Sequence, residues 1–196
     1  MSTTKTRPRP ARRRSSPKTS LWRWIGFIAI PLALAILVAV STVSETGDTG
    51  PEEAIQFDLP TTDGKTVALN ETLAKGDTLL YFSMGVGCDG CFAQIPEIET
   101  GLAERGLSLL SIMVDPAPMV AAEAARFGIE TPILIDDGAR VSRDYGMVGV
   151  YGHADRPSHS FALVRQDGTI GWVRHYAEMF VPADALLAEL DASLES

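Results

Sequence analysis

A chain of 196 residues is long enough for one domain with a real core and short for two. Its net charge of −8 hides an asymmetry. Before Glu45 stand Lys5, Arg7, Arg9, Arg12, Arg13, Arg14, Lys18 and Arg23 with no acid; the rest carries 25 Asp and Glu against nine Lys and Arg, a net of −16. A domain that acidic excludes nucleic acid as a partner, because phosphate contacts need a basic surface.

Residues 1–20 are Ser, Thr, Pro, Arg and Lys with almost no apolar content, the composition of a disordered tail. Residues 21–43 form the next segment, and from Ile25 to Val43 there is no charge, about the length that spans a bilayer core. Trp22 and Trp24 stand where an interfacial anchor belongs, and the arginine cluster predicts a cytoplasmic N-terminus. A cleaved signal peptide ending near "VAVS" is the rival reading. Either way, residues beyond about Ser44 face outside the cytoplasm, so the expected location is the cell membrane with the catalytic domain extracytoplasmic. Residues 44–53 read as a polar linker and 54–196 as the domain.

The domain opens on "IQFDLPTTDGKTVALNETL", where short apolar runs flank an Asp63-Gly64 turn and predict a small hairpin. "TLLYFSM" (78–84) has a buried-strand pattern and leads straight into the two cysteines. From Asp89 the period becomes helical: Phe92, Ile95, Ile98 and Leu102 share one face, and Gly106 is the stop signal. A strand (107–115), a helix (119–128), a strand at "PILIDD" and a short helix (139–146) follow. A glycine-containing loop through Gly149 and Gly152 leads to two strands joined at Asp167-Gly168, and "PADALLAELDASL" closes as a helix. Strands alternating with helices, plus a terminal hairpin, predict a layered α/β sandwich with a mixed sheet.

Cys88 and Cys91 are the only cysteines. Outside the cytoplasm thiols tend to be oxidised, and a disulfide closing so small a loop constrains the unfolded chain very little. The value of the pair is therefore chemical. Cys88 falls where a strand hands over to a helix, so its sulfur sits at the helix N-terminus, where free N–H groups and the dipole favour a thiolate. Cys91, one turn on, can resolve a mixed disulfide, which predicts an exposed attacker and a shielded resolver. Gly85, Gly87 and Gly90 leave the approach open.

On these residues the chain resembles the thioredoxin superfamily, specifically its membrane-tethered extracytoplasmic thiol-disulfide oxidoreductases and the related redoxin (alkyl hydroperoxide reductase/thiol-specific antioxidant) group. "FDLPTTDGKTVALNETLAKGDTLLYF" is similar to the family's opening hairpin and first core strand. "CDGCFAQIPEIE", with Pro96 inside it, is similar to the active-site helix, and "FALVRQDGTIGWV" to the closing hairpin. The resemblance implies a thioredoxin-like three-layer sandwich and catalysis by Cys88 and Cys91 without a cofactor. It also implies extracytoplasmic protein disulfides as substrates and a membrane thiol carrier as electron donor. Gly87, Pro157 and His159 are expected to border the thiols. The family's cis-proline falls at Pro157 by residue type and at His159 by counting back from Asp167-Gly168.

Departures narrow the reading. Gly87 stands where the family usually has tryptophan, and Gln94 where tethered reductases often carry an acid. Tyr81 and Gly85 occupy the places of the peroxiredoxin Pro and Thr/Ser, which argues against direct peroxide reduction. A thiol peroxidase therefore remains an alternative, as does a copper-binding assembly chaperone that would use Cys88, Cys91 and His159. The bland readings are a passive disulfide, a zinc site that would need His153, His159 or His175 to converge on the cysteines, and a His159 that merely ends a strand. The nearest cations in sequence are Lys75 and Arg105, and Asp89, Glu97 and Glu99 oppose negative charge on sulfur. The pair is thus expected to be a low-potential, reductant-like disulfide.

Overall fold

The computed structural model describes residues 51–195. The expected tail, the membrane segment and most of the linker lie outside the described residues; among those described, no helix is long and apolar enough to cross a membrane.

Two short strands, β1 (Asp58–Pro60) and β2 (Thr66–Ala68), form the opening antiparallel hairpin. The remaining strands build one mixed sheet. They are β3 (Thr78–Phe82), β4 (Ser108–Met113), β5 (Leu134–Ile135), β6 (His159–Val164) and β7 (Ile170–Tyr176), in the order β5-β4-β3-β6-β7. β3 and β4 pair parallel, as do β4 and β5, while β6 runs antiparallel to both β3 and β7. Every residue of β3 is buried, as a central strand covered on both faces requires.

Helices cover the two faces: α1 (Leu69–Leu73), α2 (Asp89–Glu104), α3 (Ala117–Arg126), α4 (Arg140–Asp144) and α5 (Ala183–Leu194). On one face Phe92, Ile95, Ile98 and Leu102 of α2, Val120 of α3 and Leu186 and Leu190 of α5 pack on Leu79, Tyr81, Phe161 and Leu163. On the other, Leu69, Leu73, Val141 and Tyr145 pack on Leu80, Phe82, Ala162 and Val164. The period-2 alternation of β3 and β6 sends odd and even residues to opposite cores, so Tyr81, Phe161 and His159 share the face that holds α2.

Pro96 lies inside α2, and the helix stops where expected. Gly106 takes a positive φ of 71°, with its N–H on the Ala103 carbonyl and that of Leu107 on Leu102. This is the paired closure that a left-handed terminal glycine allows. The short helix α1 was not expected. "LNETL" reads as the tail of a hairpin, but Leu69 and Leu73 recur at helical spacing and both are buried. These layers are those of a thioredoxin-like α/β fold.

Candidate active site

β3 ends at Phe82, and a five-residue loop carries the chain to Cys88, the N-cap of α2. Cys88 and Cys91 are joined in a disulfide with their Cα atoms 5.3 Å apart. The Cys91 backbone N–H is shared between the Cys88 sulfur, at 3.2 Å, and the Cys88 carbonyl, at 3.1 Å, so a donor of the first helical turn points at the Cys88 sulfur, as electrostatics at a helix start favours. Gly87 is exposed beside it. The expectation of an exposed attacker is corrected for the oxidised form: Cys88 is only 4% exposed and Cys91 is fully buried. The N-capping position turns the Cys88 sulfur in over the first turn, toward the Cys91 amide.

The loop before Cys88 is held by a clamp that sequence spacing conceals. Asp115, just beyond β4, accepts the Val86 N–H at 2.8 Å. It also takes a two-pronged bond from the Arg156 guanidinium, at 2.7 and 3.0 Å. Arg156 in turn donates to the Met84 carbonyl at 2.6 Å. Thus Asp115 and Arg156, 41 residues apart, together fix residues 84–86. Arg126 similarly reaches across to Asp89, the residue next to Cys88.

Behind the disulfide lies a buried polar network. Tyr81 and His159 are fully buried. The Tyr81 hydroxyl stands 3.1 Å from the Cys91 carbonyl and 2.9 Å from His159 Nδ1. His159 Nε2 faces Gln94 Oε1 at 3.2 Å, and the same oxygen accepts the Val181 N–H at 2.7 Å. The rings of Tyr81, Phe161 and Tyr176 surround the imidazole. Burial pushes the His159 pKa down to about 4, so the ring is neutral at pH 7, and burial drives the Tyr81 phenol well above its ordinary range.

His159 therefore reaches the cysteine pair only through Tyr81, whose hydroxyl meets the Cys91 backbone carbonyl. It begins β6 at the position reached by counting back from Asp167-Gly168. Pro157 is buried two residues earlier, paired with Val148 in an isolated bridge, and among the described residues there is no cis peptide bond. The cis-proline expected at one of these positions is thus absent from both. Both ring nitrogens of His159 are engaged away from sulfur, and among the described residues no group of three or more His, Cys, Asp or Glu is placed to hold a metal.

Sequence reasoning passed over Tyr81, Asp115 and Arg156 as site residues. One signal was present for Tyr81: a lone phenol among the apolar residues of "TLLYF" must find a hydrogen-bond partner when buried.

The depressed His159 pKa has a consequence for stability. Its folded value, about 4, lies below the ordinary value near 6.5, so the unfolded chain binds the extra proton between those two pH values. This group's contribution is complete above about 6.5 and is lost as pH falls toward 4, a loss on the order of 3 kcal/mol. Thermal melts of the oxidised protein across this window should show a declining Tm, and His159→Asn should flatten that decline.

The site is that of a thioredoxin-fold dithiol protein: a C-x-x-C pair at the start of a helix that follows the central strand. Comparison with known proteins gives the family. The AhpC/TSA family matches residues 51–173, and the chain belongs to it. It is 28% identical over 123 residues to the thiol-disulfide oxidoreductase ResA of Halalkalibacterium halodurans, covering 61% of this chain and 64% of the relative. Among solved structures, peroxidoxin BcpB from Mycobacterium tuberculosis superposes with a TM-score of 0.62 at 25% identity, over 74% of this chain and 97% of that one. A putative protein disulfide isomerase from Bacteroides thetaiotaomicron shares the fold, with a TM-score of 0.57 at 24% identity over 74% and 89% of the two chains.

Proposed function

We propose that the protein is a membrane-anchored reductant of disulfides in extracytoplasmic proteins, tethered through residues 21–43. The observation that carries this reading is the Cys88–Cys91 disulfide at the start of α2, with the Cys91 N–H on the Cys88 sulfur. In the reduced enzyme the Cys88 thiolate attacks the client disulfide and forms a Cys88–client bond, and the client's other sulfur leaves as a thiolate that takes up a proton. Cys91, deprotonated, then attacks the Cys88 sulfur. The Cys88–client bond breaks, the second client thiol departs, and the enzyme is left as Cys88–Cys91, having given two electrons. A membrane thiol carrier restores the dithiol.

The electrostatics favour a reductant. Strongly oxidising pairs stabilise their thiolate with positive partners. Here the two nearby cations are already held, Arg156 by Asp115 and Arg126 by Asp89 and Glu123. What remains for Cys88 is the helix terminus alone, which lowers a thiol's pKa moderately. The peroxidase reading gains nothing comparable, since the positions of its Pro and Thr hold Tyr81, committed to Cys91 and His159, and Gly85, packed on Asp115.

Serine variants separate the roles. Cys91→Ser is expected to accumulate mixed disulfides with client proteins through Cys88, while Cys88→Ser forms none and loses activity on a model disulfide. If both variants turn over that disulfide at the wild-type rate, the exchange reading fails. Consumption of hydrogen peroxide by the reduced protein far above that of free cysteine would move the assignment to a thiol peroxidase.

A further inference from the structure

Three large apolar side chains are exposed among the described residues, Met119, Tyr151 and Phe180, and all three lie at the end of the sheet that carries Cys88. Strand direction puts them there. β3 and β4 run parallel, β6 runs against β3, and β7 runs against β6, so the last residues of β3, β4 and β7 and the first of β6 share one end. Cys88 follows β3, Met119 follows β4, Phe180 follows β7, and Tyr151 stands on the loop that enters β6. Backbone contacts tie these segments to the cysteine loop. Asp115, four residues before Met119, holds the Val86 N–H. The Met179 carbonyl oxygen lies 2.5 Å from where a Cβ on Gly90 would stand, and the Val181 N–H is bonded to Gln94, so the segment of Phe180 crosses the first turns of α2. The Tyr151 hydroxyl donates to the His175 carbonyl at 3.3 Å, and Arg156 of the same loop donates to that of Met84. Scattered singly, exposed apolar residues need no explanation; gathered around one reactive pair they mark a surface that a partner covers.

Tyr151 carries the strongest signal. It is held at a φ of 53° and a ψ of 27°, a left-handed conformation that a bulky residue adopts only at a cost, and it is 58% exposed. Gly149 and Gly152 on either side take positive φ freely. A tyrosine kept where glycine fits, with its ring in solvent, contributes something other than the fold. The charges nearby select what it meets. Arg126 is shared by Asp89 and Glu123, and Arg156 is taken by Asp115. Asp155, on the loop of Tyr151, and Glu178, two residues before Phe180, are exposed and have no ion pair among the described residues.

We propose that Tyr151 is a specificity-determining residue which, with Asp155 and Glu178, selects client segments that carry Lys or Arg beside their disulfide. This rests on the dithiol-exchange reading above and names its substrate class. The apolar stem of such a residue lies along the exposed phenol ring, and its charge is attracted by the ring face. The two unpaired carboxylates draw it in from solution and raise the rate of encounter. Met119 and Phe180 offer apolar area to the rest of the segment. An acidic segment meets repulsion. So does a second copy of this chain, whose residues from Glu45 onward sum to −16, which disfavours self-association as the use of this surface.

The experiment uses the full chain, reduced, and three peptides with an internal disulfide that differ only in the residue beside it, Lys, Gln or Glu. Exchange runs in two phases, attack by Cys88 and then resolution by Cys91, and the second-order rate of the first phase is read. Each rate is divided by that of the same peptide with dithiothreitol, which removes intrinsic reactivity. At an ionic strength of about 0.01 M the Lys peptide should react at least about tenfold faster than the Glu peptide, with Gln between them. At about 1 M, where charges are screened within about 3 Å, the ratio should fall to about twofold or less. Tyr151→Asn, a residue that tolerates the left-handed conformation, should slow the Lys peptide about two- to fivefold and leave the melting temperature unchanged or raised. Asp155→Asn with Glu178→Gln should bring the low-salt ratio to about twofold or less. Equal rates for the Lys and Glu peptides at low salt overturn the proposal, as does a preference that survives when all three residues are replaced. Equal rates accompanied by self-association that Tyr151→Asn abolishes assign the surface to a second copy and also overturn it. The Gln peptide separates the failures: if it is not reduced, the exchange reading falls and the preference with it, whereas if all three are reduced alike only the preference falls.

Discussion

Arg156→Ala is expected to destabilise the oxidised protein by about 3 kcal/mol, whereas Asp115→Asn, with the same contacts at stake, should cost roughly half that. The asymmetry follows from burial. The Asp115 side chain is 7% exposed and that of Arg156 38%. Removing Arg156 leaves a buried carboxylate with only the Val86 N–H for company. Removing the charge from Asp115 leaves a guanidinium that water can solvate, and an amide oxygen that can still accept from Val86. Chemical denaturation of the three proteins under oxidising conditions measures this directly. The same variants report on function, because Arg156 also bonds the Met84 carbonyl and so fixes the backbone four residues before Cys88. Alkylation of Cys88 by iodoacetamide in the reduced protein should become less uniform and slower in Arg156→Ala. Equal destabilisation by the two substitutions would mean that the pair is an ordinary surface contact.

The clamp also marks the boundary of what the sequence conveyed. Local patterns sufficed for α2, because its apolar face is written at spacings of three and four and its end is a glycine with a positive φ. They sufficed for the closing hairpin, because Asp167-Gly168 sits between two strand-like runs. The cysteine pair was legible because both members lie in one helical turn. Arg156 and Asp115 were not, since their meeting depends on β4 and the segment before β6 converging on one loop, and neither residue stands in a periodic pattern. The expectation of no positive charge near the cysteines was sound along the chain and incomplete in space: Arg126 and Arg156 arrive from 35 and more residues away, each already matched by a carboxylate. His159 was noticed for its register, but its hydrogen bonds go to Tyr81 and Gln94, which lie on β3 and α2 and meet it only in the folded chain. The membrane segment rests on hydropathy and charge alone, and residues 21–43 lie outside those described.

Gly85→Ala should be more damaging than its size suggests, about 3–5 kcal/mol, from two separable causes. Gly85 holds a φ of 84°, a conformation that costs an L-residue roughly 1–2 kcal/mol. In addition, a Cβ built there would stand 2.2 Å from Asp115 Oδ2, far inside contact distance. The carboxylate would have to retreat, and in doing so would give up the Val86 N–H and the Arg156 fork together. A double-mutant cycle separates the two causes. In an Asp115→Ala background the obstructing carboxylate is gone, and the next neighbour, Met113 Cβ, lies at an ordinary 3.7 Å. There Gly85→Ala should cost only the backbone part, about 1–2 kcal/mol, leaving a coupling of about 2 kcal/mol between the sites. Denaturant unfolding of the four proteins gives this number, and an identical cost in both backgrounds would refute the steric account. The test reaches function as well. If the carboxylate is what seats residues 84–86 beneath Cys88, Gly85→Ala and Asp115→Ala should slow the first phase of disulfide exchange, and the double variant should be no slower than the worse single one. They disturb the same loop through the same carboxylate, and once that contact is lost the second substitution has little left to remove.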